Sequence, residues 1–163
     1  MAGEPSLEST LFDDVADVVR GLVPPGLGPV HARARRYGIK VWFGAAGSPG
    51  KEHYEAQVVG AREVKGAKVL AVEIGFHCEY PRAGDNDAVL ARLRAAEKRW
   101  RRQLGKEAVM GPFLGRQETW RRVSETWCDP DLSEPELAFE VGARLTDYIS
   151  ALEPVLTERA NEQ

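Results

Sequence analysis

The stretch "AVEIGFHCEY", residues 71–80, puts a histidine, a cysteine and two glutamates within seven positions. His77 and Cys78 could form a nucleophile pair. His77 with Glu73 and Glu79 could hold a cation or run acid–base chemistry. Strand alternation separates these options, because adjacent residues point to opposite faces. Leu70, Val72, Ile74, Phe76, Cys78 and Tyr80 make one apolar row; Glu73, Gly75, His77 and Glu79 make the other. Cys78 therefore cannot serve His77 and reads as a small core residue. The segment "HYEAQVV" alternates in the same way, with His53, Glu55 and Gln57 opposed to Tyr54, Ala56 and Val58. In a hairpin closed around residues 60–68, His53 falls within a few residues of His77, and Glu55 falls near Glu73. Trp42, in "IKVWFG", lies on that side too. Exposed, it offers a stacking or subunit-interface surface; the alternative is that the "PPGLGP" connector folds over it.

Trp42, His53, Glu55, Glu73, His77 and Glu79 are thus the candidate ligand or interface residues. Two histidines and several carboxylates on one face suit a divalent metal or acid–base catalysis. The simpler reading is that a one-sided antiparallel sheet has a polar outer face by construction. No HExxH or HxH pattern occurs. No catalytic residue, metal or cofactor is assigned on this basis. If the face is solvated, His77→Ala costs less than ~1 kcal/mol. Trp100→Ala, on the buried stripe of the next helix, costs ~3–5 kcal/mol.

Other motifs fail on position. "GAAGSPGK" has Ala45 where a phosphate loop needs its first glycine, and Glu52 where it needs a hydroxyl. "EVK", Glu63–Lys65, matches the E-x-K of restriction-type nucleases but sits in a turn. Cys128 lies beside Asp129, which disfavours its thiolate. With no CxxC, both cysteines read as reduced thiols.

The positioning elements follow from periodicity. Ser6 can cap a first helix carrying Leu7, Leu11, Phe12, Val15, Val18, Val19 and Leu22. "GLVPPGLGP" stops it as a stiff connector. Three strands follow, then a helix capped by Asp85 or Asn86 with Val89, Leu93, Ala96, Trp100 and Leu104 buried. Two short strands come next, in "AVMGPFL" and "TWRRVSETW". A last helix opens on a Ser133/Glu136 capping box and kinks at Pro154. The expected fold is a single α+β domain over 1–163, ordered α-βββ-α-ββ-α, with helices packed on one face of an antiparallel sheet.

Net charge is −3, but residues 92–122 carry ten Lys/Arg against three Glu, and residues 123–163 carry ten acids against two Arg. Arg92, Arg94, Lys98, Arg99, Arg101, Arg102, Arg116, Arg121 and Arg122 form this basic strip. It could bind nucleic acid. Pairing with the acidic C-terminal segment is the preferred reading, so nucleic acid is not the expected partner. No basic leader or membrane-length apolar run occurs, so the expectation is a cytoplasmic chain without a membrane partner.

The order of elements resembles the type III secretion chaperone-like fold, most members of which are dimers. The stretch Glu73–Tyr80, Asn86 with Leu90 and Leu93, and Arg144–Leu156 is also similar to a family of uncharacterised bacterial α/β proteins. Small domains attached to restriction-type nucleases share a similar arrangement. These resemblances imply no catalytic residues. They imply a non-enzymatic binding or scaffold module, homodimeric, with a possible protein partner. A metal-dependent or acid–base enzyme built on the His/Glu face is the alternative, and nucleic-acid binding through the basic strip is a further one.

Overall fold

The computed structural model describes residues 10–44, 47–115 and 117–160. Ser6, Leu7 and Arg116 lie outside the described residues. The elements are α1 (Leu11–Leu22), β1 (Val30–Arg35), β2 (Gly38–Phe43), β3 (Glu52–Gly60), β4 (Leu70–Cys78), α2 (Ala83–Ala95), α3 (Glu97–Leu104), β5 (Val109–Pro112), β6 (Arg121–Cys128) and α4 (Leu137–Ala160). A short 3-10 turn, Ala61–Glu63, follows β3. The six strands form one antiparallel sheet in the order β1-β2-β3-β4-β6-β5. The molecule is α+β, as the periodicity implies.

The apolar row of β4 packs where the alternation puts it. Val72, Ile74, Phe76 and Cys78 are buried with Ile39, Val41, Tyr54, Ala56 and Val123 beneath α1 and α4. Phe12, Val15 and Val19 of α1, and Leu145, Tyr148, Ile149 and Leu152 of α4, close this layer. Trp100 is fully buried, and its indole N–H donates to the Leu93 carbonyl at 2.7 Å.

Four local expectations change. "VHARAR" forms an additional strand, β1, which pairs with β2 from Val30↔Phe43 to Arg35↔Gly38. Its alternation of small and basic residues lacks the β-branched density that marks strands. The expected second helix breaks at Ala96, whose φ of −110° and ψ of 15° leave the helical range, so α2 and α3 are separate. Asn86 does not cap it. It is buried, accepting from the Tyr80 N–H and donating to the carbonyls of Tyr80 and Thr119. Ser133 turns to Asp131 instead of capping α4, through both its N–H and its hydroxyl.

The largest difference lies on the other side of the sheet. The register of β4 is as read, but the polar face is not solvated: Glu73 and His77 are each 0% exposed. Phe113 and Trp120, from the connection between β5 and β6, cover this face at His77. Phe113 packs edge-on to the His77 ring at 4.6 Å between centroids and is itself backed by Trp120 at 5.3 Å. Trp42 is not exposed either. His31, its partner across β1–β2, packs on it at 5.6 Å, and the Arg33 guanidinium lies 5.7 Å from its ring. Helices cover one face of the sheet, and on the other face strand side chains and an aromatic connection cover Glu73, His77 and Trp42.

Candidate metal centre

The β3–β4 register sets His53 directly opposite His77 and Glu55 opposite Gly75. Glu73 faces Gln57 rather than Glu55, two residues from the expected pairing. Glu79 follows the end of β4, where its N–H donates to the Lys51 carbonyl. Cross-strand neighbours on one face stand ~4.5–5.5 Å apart at Cβ, so side chains from the two strands can converge.

Four donor atoms do converge. His53 Nε2 lies 3.0 Å from Glu55 Oε1 and 3.4 Å from Glu79 Oε2. His77 Nδ1 lies 3.2 Å from Glu55 Oε1 and 3.4 Å from Glu79 Oε2. One ligand atom from each of the four residues falls within 4.8 Å of all the others. With metal–ligand bonds of ~2.1 Å, neighbouring ligands stand ~3.0 Å apart in an octahedron and ~3.4 Å apart in a tetrahedron. The four nitrogen–oxygen edges span that interval.

The remaining ring nitrogens are committed outward. His53 Nδ1 meets the Gly50 carbonyl at 2.9 Å, which can only accept, so this nitrogen carries a proton. His77 Nε2 meets both oxygens of Glu73 at 3.0 Å. Glu73 is held in turn by Gln57 Nε2 at 2.8 Å and the Ser124 hydroxyl at 2.7 Å, and Arg122 donates to that hydroxyl at 2.8 Å. Metal-bound histidines characteristically donate their second N–H to a carboxylate or carbonyl, which fixes tautomer and ring orientation. Both arrangements are present. The centre-facing nitrogens meet only carboxylate oxygens there, so each must carry a second proton or a cation must lie between.

Electrostatics agree with the geometry. Burial disfavours charge on His77, but the Glu73 charge and the hydrogen bonds its ring donates to Glu55, Glu73 and Glu79 outweigh it and hold its pKa well above the ordinary histidine range. His53 is raised in the same way, against burial, by Glu55 and Glu79. Glu55 is lowered to about 2 despite burial, because His53 and His77 face it. Glu79 and Glu73 are likewise lowered against burial, Glu79 by both histidines and Glu73 by His77, Gln57 and Ser124.

Gly75 makes this packing possible. It lies between Glu73 and His77 on β4, so no side chain stands between the carboxylate and the ring. A Cβ there would lie 2.6 Å from the Ser124 Cα. β6 can approach only because that Cβ is missing, and its approach brings Ser124 to Glu73.

The centre opens on one side. His53, Glu55 and Glu79, but not His77, line a cavity of about 560 Å³ together with Arg33, Arg35, Arg36, Tyr37, Lys40 and Lys51. A ligand set that leaves one side open to a cavity permits an exogenous ligand, as catalytic metal sites do.

Of the six candidate residues, the structure brings together His53, Glu55, His77 and Glu79. Glu73 stands behind them, and Trp42 lies outside. Cys78 is a free, buried thiol, pushed up to about 12 by burial and the Glu52 charge; Cys128 is free and exposed. Among the described residues of the basic strip, only Arg122 reaches the centre. Arg92 pairs with Glu52, Arg99 with Glu158, Arg101 with Glu97 and Arg121 with Asp87. Arg94 and Lys98, with Arg102, lie on shallow surface depressions of α2 and α3. The residues missed from sequence are the cations of the β1–β2 hairpin and Lys51. Their signal was local: residues 31–51 contain five Lys/Arg and no acid.

Comparisons with family models, with curated proteins and with solved structures find no match for this chain.

Proposed function

We propose that this protein binds a divalent transition-metal ion through His53, Glu55, His77 and Glu79, and that its activity depends on that ion. The supporting observation is the pairing of two converging ring nitrogens with two converging carboxylate oxygens, while both opposite ring nitrogens are engaged by Gly50 and Glu73. Mixed imidazole and carboxylate donors favour Zn²⁺, Fe²⁺ or Mn²⁺ over the all-oxygen preference of Ca²⁺ and Mg²⁺. A bound ion of this kind would supply Lewis-acid polarisation or an activated water on the cavity side. Lys40, 3.9 Å from Glu55 Oε1, and the Glu73–Ser124–Arg122 chain would hold the ligands in place.

Elemental analysis of protein purified without a histidine tag tests this directly. The expected result is close to one transition-metal ion per chain. Glu79→Gln, an isosteric change, should lower occupancy at least tenfold while leaving the circular dichroism spectrum unchanged. Metal-free wild type whose melting temperature does not respond to Zn²⁺, Fe²⁺ or Mn²⁺ would contradict the proposal. The homodimeric scaffold reading drew on the order of elements, with Trp42 as one candidate interface residue. With that ring buried against His31 and Arg33, Trp42 does not supply the interface.

A further inference from the structure

The cavity beside the centre is unusually cationic. Five side chains, Arg33, Arg35, Arg36, Lys40 and Lys51, line it against the two carboxylates of the centre, Glu55 and Glu79. Lys40 is the one near a carboxylate, 3.9 Å from Glu55. Among the described residues no acid lies within ion-pair distance of the other four, whereas four arginines of the 92–122 strip each have one. Arg33 is also fixed in place: it donates to the Gly47 carbonyl at 2.7 Å and leans on Trp42. Arg36 lies 5.3 Å from the ring of Tyr37, which is 53% exposed at the cavity rim.

We infer that this cavity binds a small organic phosphate, with its phosphoryl group between the hairpin cations and the metal-facing ligands and its organic part toward Tyr37. The inference rests on the metal reading above and names the class of ligand that would complete that centre. A lone carboxylate is satisfied by one bidentate guanidinium. A phosphate dianion offers three acceptor oxygens and close to two charges, enough to engage two or more cations and a metal together. Arginine is the residue suited to that planar, multidentate recognition, and three of the five cations are arginine. A volume of about 560 Å³ falls in the range of small-molecule sites.

The test is calorimetric titration of phenyl phosphate into protein carrying one Zn²⁺ or Mn²⁺ per chain, whichever it retains, with benzoate as the carboxylate control. Phenyl phosphate should bind, benzoate should bind at least tenfold more weakly, and added salt should weaken the interaction. Arg35→Ala with Arg36→Ala, both exposed at the hairpin tip, should weaken phenyl phosphate binding at least tenfold with metal content unchanged. No binding to the loaded protein, equal binding of benzoate, or full binding by the double variant would each overturn the phosphate assignment and leave the metal centre standing. If no metal is retained, the metal reading fails at that step, before any phosphate is added, and the phosphate assignment falls with it.

Discussion

At the scale of single residues, the decisive fact is which way each ring nitrogen faces. In the metal-free chain the carboxylate neighbours of His53 and His77 favour their protonated forms. A metal must displace those protons, so uptake should release protons and weaken as pH falls. Because both imidazoles are raised above 6.5, that weakening should begin above pH 6.5, at ~10-fold per pH unit for each proton displaced. Titration calorimetry in buffers of different ionisation enthalpy reads the protons directly. The stability of the metal-free chain should show two flanks. The contribution of the raised His77 is present in full below 6.5 and is lost as pH rises through its folded-state value. That of Glu55 is present above 4.5 and is lost as pH falls towards about 2.

The same residues decide how costly truncation is. Solvent on the polar face would make His77→Ala nearly neutral. The structure reverses that expectation, because the variant strands Glu73 and Glu55 in a covered face without their cation. Removing one partner of a buried ion pair costs ~3–5 kcal/mol. Trp100→Ala should cost about the same, ~3–5 kcal/mol, by opening a cavity under α2 and α3. Thermal melts of the two variants should therefore show comparable losses, and a near-native His77→Ala would mean that water reaches Glu73.

At the scale of elements, the faces of β3 and β4 were legible because alternation has a strict period of two. Alternation alone sets His53, Glu55, His77 and Glu79 on one side. The cover over that side was not legible. It comes from Phe113 and Trp120 in an irregular connection, and no periodicity says where such a segment lies. β1 was missed for a related reason, since "VHARAR" reads as polar and follows a Pro/Gly connector. Residues 31–91 hold nine Lys/Arg against seven acids, so the arginines of β1 do not stand out there as those of 92–122 do. Charge counts locate cations along the chain, but only pairing shows which are left over.

Gly75 is where element geometry and site chemistry meet. Gly75→Ala puts a methyl group against the Val123 and Ser124 backbone of β6, which must move away. Overpacking of this kind costs ~1–3 kcal/mol. The displaced strand also withdraws Ser124 from Glu73. The variant should therefore melt lower and bind metal more weakly even when the medium is adjusted to keep it folded. Unchanged metal affinity in folded Gly75→Ala would show that the Ser124–Glu73 link does not support the centre.

At the scale of the molecule, the sheet divides two kinds of stability. The helix side is an apolar layer that includes Phe12, Val15, Ile74, Phe76, Leu145 and Ile149, and it contains no residue of the centre. The other side is held by charge pairs, by Phe113 on His77, and by Asn86, which ties Thr119 of the covering connection to Tyr80. An ion that binds the folded chain alone stabilises it by ~2.7 kcal/mol at a hundredfold excess over its dissociation constant. That energy enters through His53, Glu55, His77 and Glu79, so its local effects should stay on their side of the sheet. Local openings occur well below the global unfolding energy where contacts are few. Removing the metal should therefore speed amide exchange in residues 113–120 and around Gly50–His53 by tenfold or more. Exchange in α1 and α4 should change only in proportion to the global loss. Hydrogen-exchange mass spectrometry of the metal-free and metal-loaded chain resolves these segments. A uniform change across all of them would mean that the two faces unfold as one unit, with the centre part of the cooperative core.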